Sequence, residues 1–231
     1  MKNIVLTLAV LLSLNLFGQR ERILNLQNFE SETRFNWGYY IGLSRWDFKL
    51  DPVSNASSNI VVKGSTGLSV GLMGMMNINK YLDFRIEPGL HFVSRTLTFE
   101  NVNIPETDRE LKVKSTYLDI PFLVHFRGAR WNNVRPFVAT GIGYMRNLQA
   151  NETTDDDASK GVFRMKENNF NWQAEAGVEL YFKRFKMTPA IKGIFMINDE
   201  MIPDNQGTEP YWNGSISNLR SRAIMFSLKF E

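Results

Sequence analysis

LDFRIEPGLHF, Leu82 to Phe92, decides the fold. Every second residue sorts it into two sets. Leu82, Phe84, Ile86, Leu90 and Phe92 form one, and Asp83, Arg85, Glu87, Gly89 and His91 the other. Successive side chains of an extended chain point to opposite faces, so period two predicts a strand with one apolar wall and one ionic wall. A soluble sandwich encloses its apolar wall and has no reason to enclose the charged one. A barrel in lipid reverses this, with apolar side chains outside and polar ones in the lumen.

Outward from that stretch, the alternation recurs over Phe35–Ser44, Leu68–Ile78, Tyr117–Phe126, Val138–Tyr144, Phe170–Phe182, Phe185–Ile197 and Ala223–Phe230. That makes eight strands. The connections sort by parity. Those leaving odd strands are long (Leu50–Thr66, Glu100–Lys114, Gln149–Asn168 and Asn198–Asn218), and those leaving even strands are short (Asn79-Lys80, Arg127–Asn133 and Lys183-Arg184). Short periplasmic turns alternating with long outer loops mark bacterial outer-membrane barrels. The expected fold is therefore all-β: an eight-stranded antiparallel up-and-down transmembrane β-barrel over residues 35–231. Aromatics near strand ends are expected to form interfacial girdles, with Trp37, Tyr81, Phe182 and Phe185 on the inner side and Tyr144, Phe170, Trp172 and Phe195 on the outer. Pro88, Pro121 and Pro189 fall mid-strand, where each removes a ladder donor, and are expected to mark bulges.

The chain begins MKNIVLTLAVLLSLNLFGQ. Lys2 precedes an apolar run from Ile4 to Leu16, then a small residue at Gly18. This predicts a signal peptide over residues 1–18, the run being too short for a comfortable spanning helix. Residues 19–34 then form a periplasmic lead-in, giving an expected location in the outer membrane of a Gram-negative cell with a periplasmic N-terminus. The 231 residues contain no cysteine, which excludes disulfides, cysteine–zinc sites, thiol catalysis and lipidation at an N-terminal cysteine. The net charge of +3 comes from 27 basic and 24 acidic residues dispersed along the chain, so no nucleic-acid partner is expected.

Eight strands enclose a lumen just wide enough for side chains to fill it. The inward set contains Asp83, Arg85, Glu87, Asp119, Glu175, Glu179, Lys186 and Lys192. Ionised groups with little water must pair, so these eight predict a polar network that plugs the barrel. His91 and His125 also face inward, at different depths of adjacent strands, which does not suit a shared metal. One trio for interfacial acyl chemistry can be assembled from Ser115, Asp119 and His125, spread along a single strand. There is no GxSxG, phosphate-loop or dinucleotide fingerprint. Asp155, Asp156 and Asp157 lack calcium-loop spacing and read as a solvated loop. No catalytic residue, cofactor, metal or small-molecule substrate is expected. Tyr211 and Trp212, in the last long connection, are expected to contact a partner protein or to fold over the barrel mouth.

Three stretches carry a family resemblance. NLQNFESETRFNWGYYIGLSRWDFKL (Asn25–Leu50) resembles the lead-in and first strand of the PorT/SprT proteins of type IX secretion and gliding motility. STYLDIPFLVHF (Ser115–Phe126) resembles a strand widespread among PorT-like outer-membrane barrels, and LRSRAIMFSLKFE (Leu219–Glu231) resembles the PorT/SprT C-terminus. The resemblance implies an integral component of protein export without enzymatic activity, in contact with outer-membrane lipid and other secretion-machine proteins. Asn25, Leu26, Asn28, Phe29 and Trp37, with Arg220, Ser221 and Arg222, would carry any family-specific role. Two alternatives remain: a generic small barrel with ligand-binding or adhesive outer loops, and an interfacial lipid-modifying enzyme.

Overall fold

A computed structural model describes residues 34–52, 60–99, 110–152, 164–182, 184–202 and 216–231. The predicted signal peptide, nearly all of the lead-in, and the segments holding Asp155–Asp157, Tyr211 and Trp212 lie outside the described residues.

The strands are β1 (Phe35–Pro52), β2 (Ile60–Gly64), β3 (Thr66–Asn77), β4 (Leu82–Ile86), β5 (Gly89–Phe99), β6 (Glu110–Arg127), β7 (Val134–Asn147), β8 (Asn168–Tyr181), β9 (Lys186–Met196) and β10 (Ile216–Phe230). All pair antiparallel in one sheet, and β1 pairs with both β10 and β3, so the sheet closes on itself. The ten strands are eight staves. β2 prolongs β3, while β4 and β5 are two halves of one stave, both bonded to β3 and to β6. Closure runs from Tyr39↔Phe230 to Asp51↔Asn218, and the Tyr39 and Phe230 rings stack 5.4 Å apart.

The prolines correct one expectation. Gly74↔Ile86 and Gly71↔Gly89 continue one register across Pro88, as do Ile86↔Phe122 and Gly89↔Asp119 on the other side. Pro121↔Gly143 and Pro189↔Leu228 also sit in unshifted ladders. None marks a bulge. Each only omits a donor, its fixed φ being compatible with extended backbone. At Pro88 the flanking bonds persist, with Leu72 N–H donating to the Pro88 carbonyl (2.9 Å) and Glu87 N–H to the Pro121 carbonyl (3.3 Å). Among the described residues the register shifts instead at Ser65, an extra residue where Leu68↔Phe92 becomes Gly64↔Arg95 as β3 passes into β2, and between Asp51 and Pro52 on the β1–β10 seam.

The walls are sorted as in lipid, not as in water. Trp37 is 81% exposed, Ile142 64% and Phe170 60%, while Asp83, Glu87 and Glu179 are 0%. On β1 the outward apolar series runs from Phe35 through Trp37, Tyr39 and Ile41 to Leu43. It covers about 26 Å of strand at ~3.3 Å per residue, or roughly 20 Å of height at ~40° tilt, close to the ~25 Å apolar band of such barrels. Beyond Leu43 the outward residues of β1 are Arg45, Asp47 and Lys49. Strands β1 and β6 reach 18 residues each, well past the ~9–11 needed to span. Two of the long connections are correspondingly shorter than the pattern suggested. The hairpins continue beyond the bilayer, where both walls are polar and period two loses its contrast.

Candidate functional site

The lumen is filled by side chains in four storeys, each assembled from residues two apart on neighbouring staves. Lowest, at the short-turn end, Asp83 accepts from Arg85 Nε (3.0 Å) and from His125 Nδ1 (2.9 Å), its direct cross-strand neighbour, and pairs with Arg127 (3.0 Å). Arg85 Nη2 donates to Glu179 (3.0 Å), which also accepts from Lys186 (3.2 Å) and the Tyr181 hydroxyl (2.8 Å). The Glu231 carboxylate turns inward to pair with Lys186 at 2.6 Å.

In the second storey Glu87 accepts from both Lys192 and Lys229, each at 2.5 Å, and Glu175 pairs with the same two lysines at 3.3 and 2.7 Å. Two carboxylates and two ammonium groups close a neutral ring. Tyr40 lies against it, its ring 5.9 Å from Lys192 Nζ. Glu175 and Lys192 are a direct cross-strand pair, whereas Lys229 enters from β10.

The third storey is built around Asp119, which accepts from Asn171 (3.0 Å) and Gln173 (2.7 Å) and has His91 Nε2 at 3.6 Å. A chain continues from His91 Nδ1 to Ser69 (2.8 Å), Ser69 to Ser44 (3.1 Å), and Trp46 Nε1 donating to Ser44 (3.0 Å). In the fourth, Arg95 donates to Ser221 (2.7 Å), Ser115 (3.1 Å) and Tyr117 (2.6 Å), with its guanidinium 3.8 Å over the Phe48 ring. Trp46 and Tyr117 stack 5.1 Å apart between these levels, both fully buried.

The eight ionisable residues singled out in the sequence lie in this lumen. Asp83, Arg85, Glu179 and Lys186 occupy the first storey, Glu87, Glu175 and Lys192 the second, and Asp119 the third. The expected network does not include Arg95, Arg127, Glu200 or Glu231, nor Lys229, although the alternation of the last strand already turns Lys229 inward. Parity alone assigns Lys229 and Arg95 inward, but Glu200 comes from a connection and has no periodic signal.

The trio Ser115, Asp119 and His125 is not brought together. Ser115 serves Arg95, Asp119 serves Asn171 and Gln173, and His125 serves Asp83. Side chains six positions apart on one strand stand about 20 Å apart, so Asp119 and His125 cannot meet. A different order, Ser69–His91–Asp119, is in contact, but it is sealed in packed lumen under Trp46, where a substrate carbonyl has no approach. Among the described residues no group of three or more histidine, cysteine and acidic side chains is placed to hold a metal ion.

Glu200 lies beyond β9, outside the spanning strands, and closes the lumen at the long-connection end. Its carboxylate accepts from the Ser221 N–H (2.5 Å) and the Tyr117 hydroxyl (3.4 Å). Burial raises its pKa above the usual carboxylate range, opposed by the nearby Arg95 charge and the Ser221 and Tyr117 bonds. A raised acid pKa means the docked segment holds its proton better than the released one. Docking is then firmest below the ordinary glutamate value and weakens as pH rises through the raised value. Backbone exchange at Glu200 and Ser221, corrected for intrinsic rates, is expected to lose protection from pH 5 to pH 8, and Glu200→Gln to abolish that trend. A flat profile in the unsubstituted protein would refute it.

Residues 17–201 match the family described as outer membrane protein beta-barrel domain. The chain belongs to that family. It is an outer-membrane β-barrel protein, and the inverted walls have their reason in the lipid around them. This assignment is broader than the PorT/SprT resemblance. No curated protein matches the chain. Among solved structures, the barrel is similar to Neisserial surface protein A, with 10% identity, TM-score 0.47, and 84% of this chain and 97% of that one covered. It is also similar to OprG from Pseudomonas aeruginosa, with 11% identity, TM-score 0.48, and 84% and 94% covered. The attachment invasion locus protein Ail of Yersinia pestis follows, with 10% identity, TM-score 0.37, and 84% and 96% covered.

Proposed function

We propose that this outer-membrane barrel is a component of type IX protein secretion that acts through protein contacts at its rims and not through catalysis or conduction. The observation that supports this most is the filled lumen. Among the described residues, four storeys of buried side chains occupy the barrel interior where a chain in transit would pass, and Ser115, Asp119 and His125 are held apart by separate partners. The likeness of Asn25–Leu50 and Leu219–Glu231 to the ends of PorT/SprT proteins supplies the machine. In this reading the short-turn end faces the periplasm, and Asn28, Phe29, Tyr211 and Trp212 are partner contacts.

Deleting the gene is expected to leave proteins with C-terminal sorting domains in the periplasm, and restoring it to return them to the surface. Normal secretion in the deletion strain would remove this reading in favour of ligand-binding or adhesive loops.

A further inference from the structure

The outer wall carries a feature that neither the lumen nor the secretion reading uses. Across β1, β9, β10 and the β2–β3 stave runs a groove of about 680 Å³, lined at one end by Leu43 and Phe226 and at the other by Arg45, Asp47 and Arg222, with Ile224 level with Arg45 and Phe195 level with Arg222. Arg222 binds Asp47 at 2.7 and 3.2 Å, yet their side chains remain 53% and 40% exposed. Register places two further cations just beyond, as the pair Lys49↔Arg220. Arg45, Lys49, Arg220 and Arg222 thus lie within about two register steps of Asp47 on the outward faces of β1 and β10. Arg45 is only two positions, or about 7 Å, from the apolar Leu43.

That combination selects its occupant. A groove on the hydrocarbon-facing wall meets lipid before anything else, and its apolar end suits acyl chains. Its cationic end suits a phosphate oxygen cluster, which guanidinium binds through paired, charge-assisted bonds. Basic residues at a membrane surface each add to anionic-headgroup binding. The site lies at the long-connection end, which the orientation proposed above turns outward. We propose that this groove is a binding site for a phosphorylated glycolipid of the outer leaflet, of the lipid A type. Arg45 and Arg222 would hold the phosphate, and Leu43, Ile224 and Phe226 the first acyl chain. The site rests on that orientation but not on the secretion role.

Native mass spectrometry of the full-length protein released from detergent, titrated with bis-phosphorylated lipid A, tests it. One tightly held lipid is expected. Arg45→Ala with Arg222→Ala should weaken it roughly tenfold to thirtyfold. Arg45→Lys with Arg222→Lys, which keeps the charge and needs no refolding of the wall but loses the paired guanidinium bonds, should bind between the unsubstituted protein and the alanine variant. Dephosphorylated lipid A should bind no better to the unsubstituted protein than to the alanine variant. Equal lipid A binding by the alanine and unsubstituted proteins would overturn the site, as would undiminished binding after dephosphorylation. So would equal binding of phosphatidylglycerol, a lipid of the other leaflet, or a lipid-free dimer dissociated by the alanine pair. The secretion assay can fail while this binding stands, and the reverse, so the two readings fail separately.

Discussion

Glu87→Ala is expected to lower the stability of the purified barrel by about 3–5 kcal/mol, because it leaves two buried ammonium groups facing one carboxylate. Lys192 and Lys229 both sit 2.5 Å from Glu87 and are almost wholly buried, so neither can turn to water when it is removed. Urea unfolding from lipid vesicles, followed by tryptophan fluorescence, reads the loss as a lower midpoint. Glu87→Gln should lose less, since an amide oxygen still accepts. Removing charge from both sides with Glu87→Met and Lys229→Met should cost less than Glu87→Ala alone, because the pair is expensive to break and not to replace. An unchanged midpoint for Glu87→Ala would show that the ring does not hold the staves together.

Trp46→Ala is the second. The indole is fully buried, stacked on Tyr117, bonded to Ser44 and packed with Val93, Met145, Ile194, Met196 and Ala223. With Trp46 these come from six of the eight staves, so one side chain ties most of the circumference at the level where polar pairing gives way to apolar packing. Truncating a buried tryptophan costs about 3–5 kcal/mol, by lost transfer energy and an unfilled cavity. Trp46→Phe, which keeps most of the volume but abandons the Ser44 bond, should cost markedly less. Proteolysis should begin at the long-connection end in the alanine variant. If both variants unfold at the unsubstituted midpoint, the upper lumen is not the packed plug described.

Much of this architecture was legible because a membrane barrel writes its walls in period two. Leu82–Phe92 assigns Asp83, Arg85, Glu87 and His91 to the lumen before any coordinate is known. The pairings themselves were not legible. Glu87 and Lys229 are 142 positions apart, and which storey each joins depends on shear, which side-chain type does not encode. Pro88 misled because a missing donor reads the same in sequence whether or not a residue is inserted, and the ladder decides it. Ser65, where the ladder does take an extra residue, sits among small polar residues with no alternation to break. Glu200 enters from a connection, where periodicity has nothing to say. The outer groove was half legible: Arg220 and Arg222 stood out in the closing stretch, but Arg45 and Asp47 joined them only through the β1–β10 register.

That register also has a consequence for assembly. Before the final strand is in place, Glu87 and Glu175 share a single cation, Lys192, and the second storey carries an excess negative charge. Lys229 arrives with the stretch that zips the last seam against Tyr39–Asp51, so neutrality and closure come in one step. A sheet left open, or one closed a residue out of step, would turn Lys229 to the hydrocarbon and leave that charge standing. The ring thus proofreads its own seam.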